Sequence, residues 1–132
     1  MISFDALGLA DHLLRAVQAQ GYDAPTPIQQ RSIPHISAGV DLAAEAQTGS
    51  GKTAAFVLPI LQKMGSHPTE MTPTSIGVLT ITPTRELALQ IAETFKLLGR
   101  FAAPPPRVLS IIGGVSLSDQ VSALSSGVDI VV

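Results

Sequence analysis

The stretch Ala46-Gln47-Thr48-Gly49-Ser50-Gly51-Lys52-Thr53 constrains this chain more than any other. Its glycines let the backbone turn tightly, and the apolar run from Thr53 to Met64 that follows reads as a helix buried against a sheet, with Pro59 as an irregularity. Leu42 to Ala46, just before the turn, is a short strand candidate. Strand, glycine turn and helix in succession form the unit of an α/β layer. The turn also suits an anion. Backbone N–H groups from Thr48 to Lys52 fall at a helix N-terminus, where they present oriented partial positive charge, and Lys52 adds a full one. The plainer alternative is a glycine-rich turn with no ligand.

The rest of the chain repeats the alternation. Leu9, Leu13, Leu14 and Val17 fall at helical spacing over Leu9 to Gln20, and Gly21 stops that helix. Thr26, Pro27 and Gln29 form the Thr-Pro-x-Gln start of a second helix, to about Ser37, in which Pro34 is a potential distortion. Gly65 to Ser75 reads as a loop, and Ile76 to Thr82 as a strand buried on both faces. Thr84 caps a helix with the stripe Leu87, Ile91, Phe95 and Leu98, ending at Gly99. Beyond Pro104-Pro105-Pro106, Arg107 to Ile112 is another buried strand, broken by Gly113-Gly114. Ser116 and Asp119 resemble a capping box for a helix carrying Leu117, Val121 and Leu124, and Ile130 to Val132 begins a further strand. This pattern implies an α/β fold, doubly wound around a mostly parallel sheet.

Composition narrows the function classes. At 132 residues the chain is about one domain long, and 45% hydrophobic against 14% charged is too apolar for a disordered chain. The longest apolar run, around Ala54 to Leu61, contains Pro59 and falls far short of the ~20 residues that span a bilayer. The N-terminus lacks a basic region leading into an apolar one, and no cysteine is present, which together point to a cytoplasmic protein. A net charge of −2 means that any nucleic-acid contact is local. His12, His35 and His67 have no metal-site spacing and read as surface residues.

In detail the glycine turn resembles the phosphate-binding loop of nucleotide hydrolases, in which N–H groups wrap a triphosphate, a lysine meets the β and γ phosphates, and a hydroxyl holds Mg²⁺. Lys52 and Thr53 take those last two places, while Ala46 stands where most such loops have glycine. Gln29 has two readings. Its amide completes the capping box, and it can also accept from adenine N6–H₂ while donating to N7, a pattern that guanine does not reproduce. Tyr22 either stacks on the adenine or is a core tyrosine with its hydroxyl exposed.

Four segments in order then resemble the DEAD-box RNA helicases. Ala46 to Thr53 has that family's form of the loop, including the leading alanine. Gly21-Tyr22-Asp23-Ala24-Pro25-Thr26-Pro27-Ile28-Gln29 looks like its Q motif, with Phe4 placed 17 positions before Gly21 as its isolated aromatic. Pro83-Thr84-Arg85-Glu86-Leu87-Ala88 matches motif Ia, and Gly113-Gly114 the GG motif. The wording is similar to bacterial members of the RhlE type, although Val40 departs from a usually basic position.

The resemblance implies a three-layer RecA-like domain, with residues 1–40 as the Q-motif region and 41–132 running from phosphate loop to GG motif. It implies ATP and Mg²⁺ as cofactors, with Phe4, Tyr22, Gln29, Ala46, Gln47, Thr48, Gly49, Ser50, Gly51, Lys52 and Thr53 at the nucleotide and Thr53 on the metal. Lys52 and Thr53 are its catalytic residues in this chain. ATP, ADP or AMP and RNA are the implied partners. RNA, single or double stranded and of any sequence, would meet Pro83, Thr84, Arg85, Gly113 and Gly114 through its backbone. For Arg85 the rival is a surface ion pair with Glu86 or Glu93.

Hydrolysis needs more than this loop: an acid holding Mg²⁺, a water-positioning group and usually an arginine finger. No apolar strand ending in Asp-Glu follows Thr53, and Asp129 precedes its strand. The family's motif II and motif III strands are therefore expected beyond Val132. The expectation is nucleotide binding without useful turnover, and a sheet with open edges prone to pair with a second copy. Two alternatives stand beside an RNA-helicase segment. One is a non-catalytic nucleotide- or RNA-binding module. The other is an unrelated phosphate-loop kinase, which leaves Gln29, Pro83 to Ala88 and Gly113-Gly114 unexplained together.

Overall fold

The computed structural model describes residues 2–66 and 75–132. A 3-10 turn at Asp5–Leu7 leads into α1 (Asp11–Ala19), α2 (Pro27–Ser37), α3 (Lys52–Ser66), β1 (Val78–Leu79), α4 (Arg85–Gly99), β2 (Val108–Leu109), α5 (Leu117–Ser125) and β3 (Ile130–Val131). The class is the α/β one expected. All pairings are parallel, in the order β1-β3-β2, so the strand last in sequence lies between the other two. Most of the loop foreseen over Gly65 to Ser75, with His67, lies outside the described residues, while Gly65 and Ser66 close α3.

The helices form where periodicity and caps place them. α1 buries Leu13, Ala16 and Val17 and closes with Gly21 N–H on Gln18 O (3.0 Å) and Tyr22 N–H on Val17 O (3.0 Å), a Schellman arrangement that sets the position of Tyr22. α2 runs through Pro34 without interruption, and α3 carries a fully buried Pro59. α4 buries Ile91, Phe95 and Leu98, and its Thr84 cap accepts from Leu87 N–H at 3.2 Å. Leu13, Ile33, Leu58, Phe95, Leu98 and Ile130 are the largest apolar groups of one core shared by α1, α2, α3, α4 and β3. Burying each stabilises by roughly 1.5–3 kcal/mol over leaving it in water.

The strands depart further from the sequence reading. Leu42 to Ala46 forms no strand; Leu42 to Glu45 are exposed, with Ala46 partly covered. A strand exists only where its N–H and C=O groups meet a neighbour, and no described strand lies beside this one. Of Ile76 to Thr82 only Val78–Leu79 is strand, and it is not buried on both faces: Leu79 is 67% and Ile81 87% exposed. Among the described residues β1 is paired on one side alone, by β3, and its side chains alternate between a partly covered face (Val78) and an open one (Leu79). Arg107 to Ile112 likewise contributes only Val108–Leu109, although Ile111 N–H still reaches Val132 O at 2.8 Å. The capping box foreseen at Ser116 and Asp119 is not formed. Ser116 Oγ instead lies 2.8 Å from Ser118 Oγ, and Leu117 and Val121 face solvent.

β2 and β3 are tied at their starts. Asp129 accepts from Arg107 N–H (2.7 Å), Nε (3.1 Å) and Nη2 (2.8 Å). These bonds hold the Asp129 carboxyl below the usual carboxylate range, and the carboxylate in turn raises the Arg107 guanidinium.

Candidate functional site

Two clusters of residues flanking helix N-termini carry the chemistry. The first joins α2 to the glycine turn before α3. Gln29, in the first turn of α2, is only 4% exposed. Its Oε1 accepts from Thr26 N–H at 3.0 Å, and its Nε2 donates to Gly51 O at 3.1 Å. Thr26 and Gln29 are set as a capping box, but only the Gln29 half makes a well-formed bond; Thr26 Oγ1 is buried without a partner. Gly51 sits at φ +87°, and a Cβ there would come within 2.4 Å of Gln29 Nε2 and 3.1 Å of Thr26 Oγ1. Only glycine lets the turn lie this close to the amide. Each Gln29 amide atom keeps bonding capacity, one N–H and one lone pair, for a further partner.

Within the turn, Ser50 N–H bonds Gln47 O at 3.2 Å, and Lys52 Nζ donates to Ala46 O and, at 2.9 Å, to Gln47 O. The ammonium is thus satisfied by neutral carbonyls. Phosphate oxygens, being charged, are stronger acceptors for it. Ser50 Oγ is buried with no hydrogen-bond partner, an orphan at the centre of the turn. Thr53, half-buried, is the second residue of α3, while Gln47, Thr48 and Gly49 are exposed. An unpaired hydroxyl, a lysine and helix-terminal N–H groups form a donor set that fits a nucleotide phosphate, with Thr53 as the candidate Mg²⁺ ligand.

Tyr22 is 39% exposed, held by the turn that closes α1, and Gln30 Nε2 donates to Pro25 O at 2.7 Å in the segment between them. Phe4 is 4% exposed and packs in the core cluster.

The second cluster lies where α4 begins. Thr82 Oγ1 donates to Thr84 O at 3.1 Å, which fixes the approach through Pro83 to the Thr84 cap. The exposed Arg85 opens α4 and lays its guanidinium on the Gly113-Gly114 turn. A Cβ at Gly113 would lie 3.1 Å from Arg85 Nη2, and one at Gly114, where φ is +84°, 3.0 Å from Nη1. Five residues from distant parts of the chain, 83–85 and 113–114, are so brought together. Among the described residues Arg85 pairs with neither Glu86 nor Glu93, and the ion pair they do form, Arg107 with Asp129, lies elsewhere.

Two further features lie outside the motifs legible in the sequence. Gln120 is buried (8% exposed) and bonds both sides of the diglycine turn. The signal was a lone amide between Leu117, Val121 and Leu124. Arg107 and Asp129 were legible as opposite charges, each standing directly before an apolar strand run.

The family model for the DEAD/DEAH box helicase matches residues 26–132, and this chain belongs to that family. It is 42% identical over 132 residues to the DEAD-box ATP-dependent RNA helicase CshA of Bacillus cereus, covering all of this chain and 24% of the relative. It is 43% identical over 131 residues to the ATP-dependent RNA helicase DeaD of Haemophilus influenzae, covering 99% of this chain and 20% of that one. The chain therefore spans about a quarter or less of these relatives. Among solved structures, a DEAD box protein from Methanococcus jannaschii superposes with a TM-score of 0.85 at 33% identity, over 100% of this chain and 34% of that one. The RNA-helicase Prp28 from Chaetomium thermophilum, bound to ADP, gives 0.82 at 39% identity, over 99% of this chain and 31% of its own.

Proposed function

We propose that this chain is the nucleotide-binding segment of an ATP-dependent RNA helicase, in which ATP binding and hydrolysis drive the remodelling of RNA through contacts to its backbone. The observation that carries the reading is the hydrogen bond from Gln29 Nε2 to Gly51 O, by which the candidate purine reader and the candidate phosphate loop share one bond. In this proposal Gln29 reads adenine, Tyr22 covers its face, and Ala46 to Gly51 with Lys52 hold the phosphates of ATP, ADP or AMP. Mg²⁺, where bound, supplies charge neutralisation at the phosphates, and Thr53 is its ligand from this chain. Pro83, Thr84, Arg85, Gly113 and Gly114 meet phosphates of RNA of any sequence, since such contacts carry no base information.

Residues 1–40 act as the adenine-side unit and 41–132 as the phosphate- and RNA-side unit of one RecA-like domain. Catalytic turnover is proposed only for this segment joined to the further groups that hydrolysis needs. The binding-module reading describes the 132 residues themselves, because no Asp-Glu pair follows Thr53 in their sequence. Pairing of copies through the open edge of β1 belongs to the same proposal, as does a cytoplasmic location. Among the described residues no helix is long and apolar enough to cross a membrane.

The test is calorimetric titration of the chain with ADP. Lys52→Ala should weaken binding by about tenfold or more, the value of one hydrogen bond to a charged group. Equal affinity in parent and variant contradicts the assignment.

A further inference from the structure

We infer that Gln120 is a positioning residue for the RNA-backbone site, bracing the diglycine turn on which the Arg85 guanidinium rests. The inference builds on the reading of Arg85 as a phosphate contact.

The starting observation is an inverted burial pattern on α5. Gln120 is the one buried residue of that helix, at 8% exposure, while the apolar Leu117 and Val121 are 74% and 52% exposed. A buried amide beside exposed leucine and valine needs a polar reason. Its hydrogen bonds supply one. Oε1 accepts from Ile112 N–H at 3.0 Å, and Nε2 donates to Val115 O at 3.3 Å, with Ser116 O at 3.5 Å. Ile112 is the residue before Gly113, and Val115 the residue after Gly114, so one side chain holds both ends of the turn.

What the turn supports is a cation. Arg85 Nη2 and Nη1 lie where Cβ atoms on Gly113 and Gly114 would approach to 3.1 and 3.0 Å, so the guanidinium is seated against bare backbone. With no acidic partner among the described residues, this seat is what orients it. Orientation matters for arginine because its planar fork binds phosphate through two parallel N–H bonds only when correctly aimed. The path runs from the Gln120 amide to the turn, and from the turn to the Arg85 fork. Gly113 and Gly114 then contribute by making room for the guanidinium as well as by any contact of their own.

The experiment measures binding of a fluorescently labelled single-stranded oligouridylate at several salt concentrations. The proteins are the full chain, Gln120→Leu, Arg85→Ala and the double variant, with thermal melts and ADP titrations alongside. Arg85→Ala should weaken RNA binding and lower the slope of log affinity against log salt by about 0.7, one phosphate on a single strand. Gln120→Leu should weaken RNA binding by about five- to tenfold with ADP affinity unchanged, and should have no further effect once Arg85 is gone. The inference is overturned if Arg85→Ala has its effect while Gln120→Leu leaves RNA binding intact, or if Gln120→Leu costs as much without Arg85 as with it. If Arg85→Ala changes neither affinity nor slope, the RNA-backbone reading itself falls, and the inference with it. Should Gln120→Leu lose its cooperative melt, Gln120→Glu is judged by the same criteria. It keeps the acceptor for Ile112 N–H and removes the donor to Val115 O.

Discussion

At Gly51 the backbone is held at φ +87° with the Gln29 amide against it, so a methyl group added there meets Nε2 at 2.4 Å. Gly51→Ala should therefore break the bond between Gln29 and the turn as well as strain the backbone, which costs of order 1–3 kcal/mol. The expected outcome is a lower melting temperature together with at least about tenfold weaker ADP binding in the same preparation. Full ADP affinity in the variant would show that the close approach is incidental. At this scale the sequence was most legible where a residue's chemistry is distinctive. Gln29 was visible both as a cap and as an amide with spare donors, and the structure joins the cap to the glycine turn. Phe4 was legible as an isolated aromatic, but spacing alone could not tell that it is packed in the core. Gln120 was missed because nothing in a nine-residue helix announces which side is buried when leucine and valine are left exposed.

Elements were legible in proportion to how locally they are determined. α2 and α4 are announced by Thr26, Pro27, Thr84 and 3.6-residue stripes, and they form where those signals lie. Strands depend on partners far away in sequence, so apolar runs at 42–46, 76–82 and 107–112 contract to two short strands and a segment without pairing. The Arg107–Asp129 clamp between β2 and β3 gives an element-scale prediction. Asp129 titrates below its unfolded value of about 3.9, held there first by its side-chain bonds to Arg107. A depressed carboxylate contributes stability that is present above the unfolded value and lost as pH falls through the folded one. Asp129→Asn should accordingly lower the melting temperature near pH 6, with the gap to the parent closing as the pH falls below the unfolded value of about 3.9 and through the lower folded one. Melts by circular dichroism across that range decide it. A gap independent of pH would show that packing rather than charge accounts for the loss. Arg107 is about half-exposed, so the effect should be modest and weaker in high salt.

For the molecule as a whole, the described strands leave both outer edges of the sheet, on β1 and on β2, without a strand partner. Among the described residues the outer edge of β1 has no strand partner, with Leu79 and Ile81 exposed beside it, and Ile111, Val115 and Val121 are further apolar groups in contact with water. Edges of this kind pair with other chains. Light scattering at tens of micromolar should report a mass above that of the 13.7 kDa monomer, and a monomer throughout would contradict the pairing proposal.

Residues 22–53 are proposed as a site for adenosine nucleotides in which Gln29 reads the base and the glycine turn holds the phosphates. Displacement of a fluorescent ADP by ATP or GTP, on the parent and on Gln29→Glu, measures this most directly. Glutamate keeps an acceptor but presents no donor to N7. ATP should displace the probe at least roughly tenfold better than GTP from the parent, and this preference should disappear in the variant. Equal displacement by ATP and GTP from the parent, or a preference that survives Gln29→Glu, contradicts the proposal.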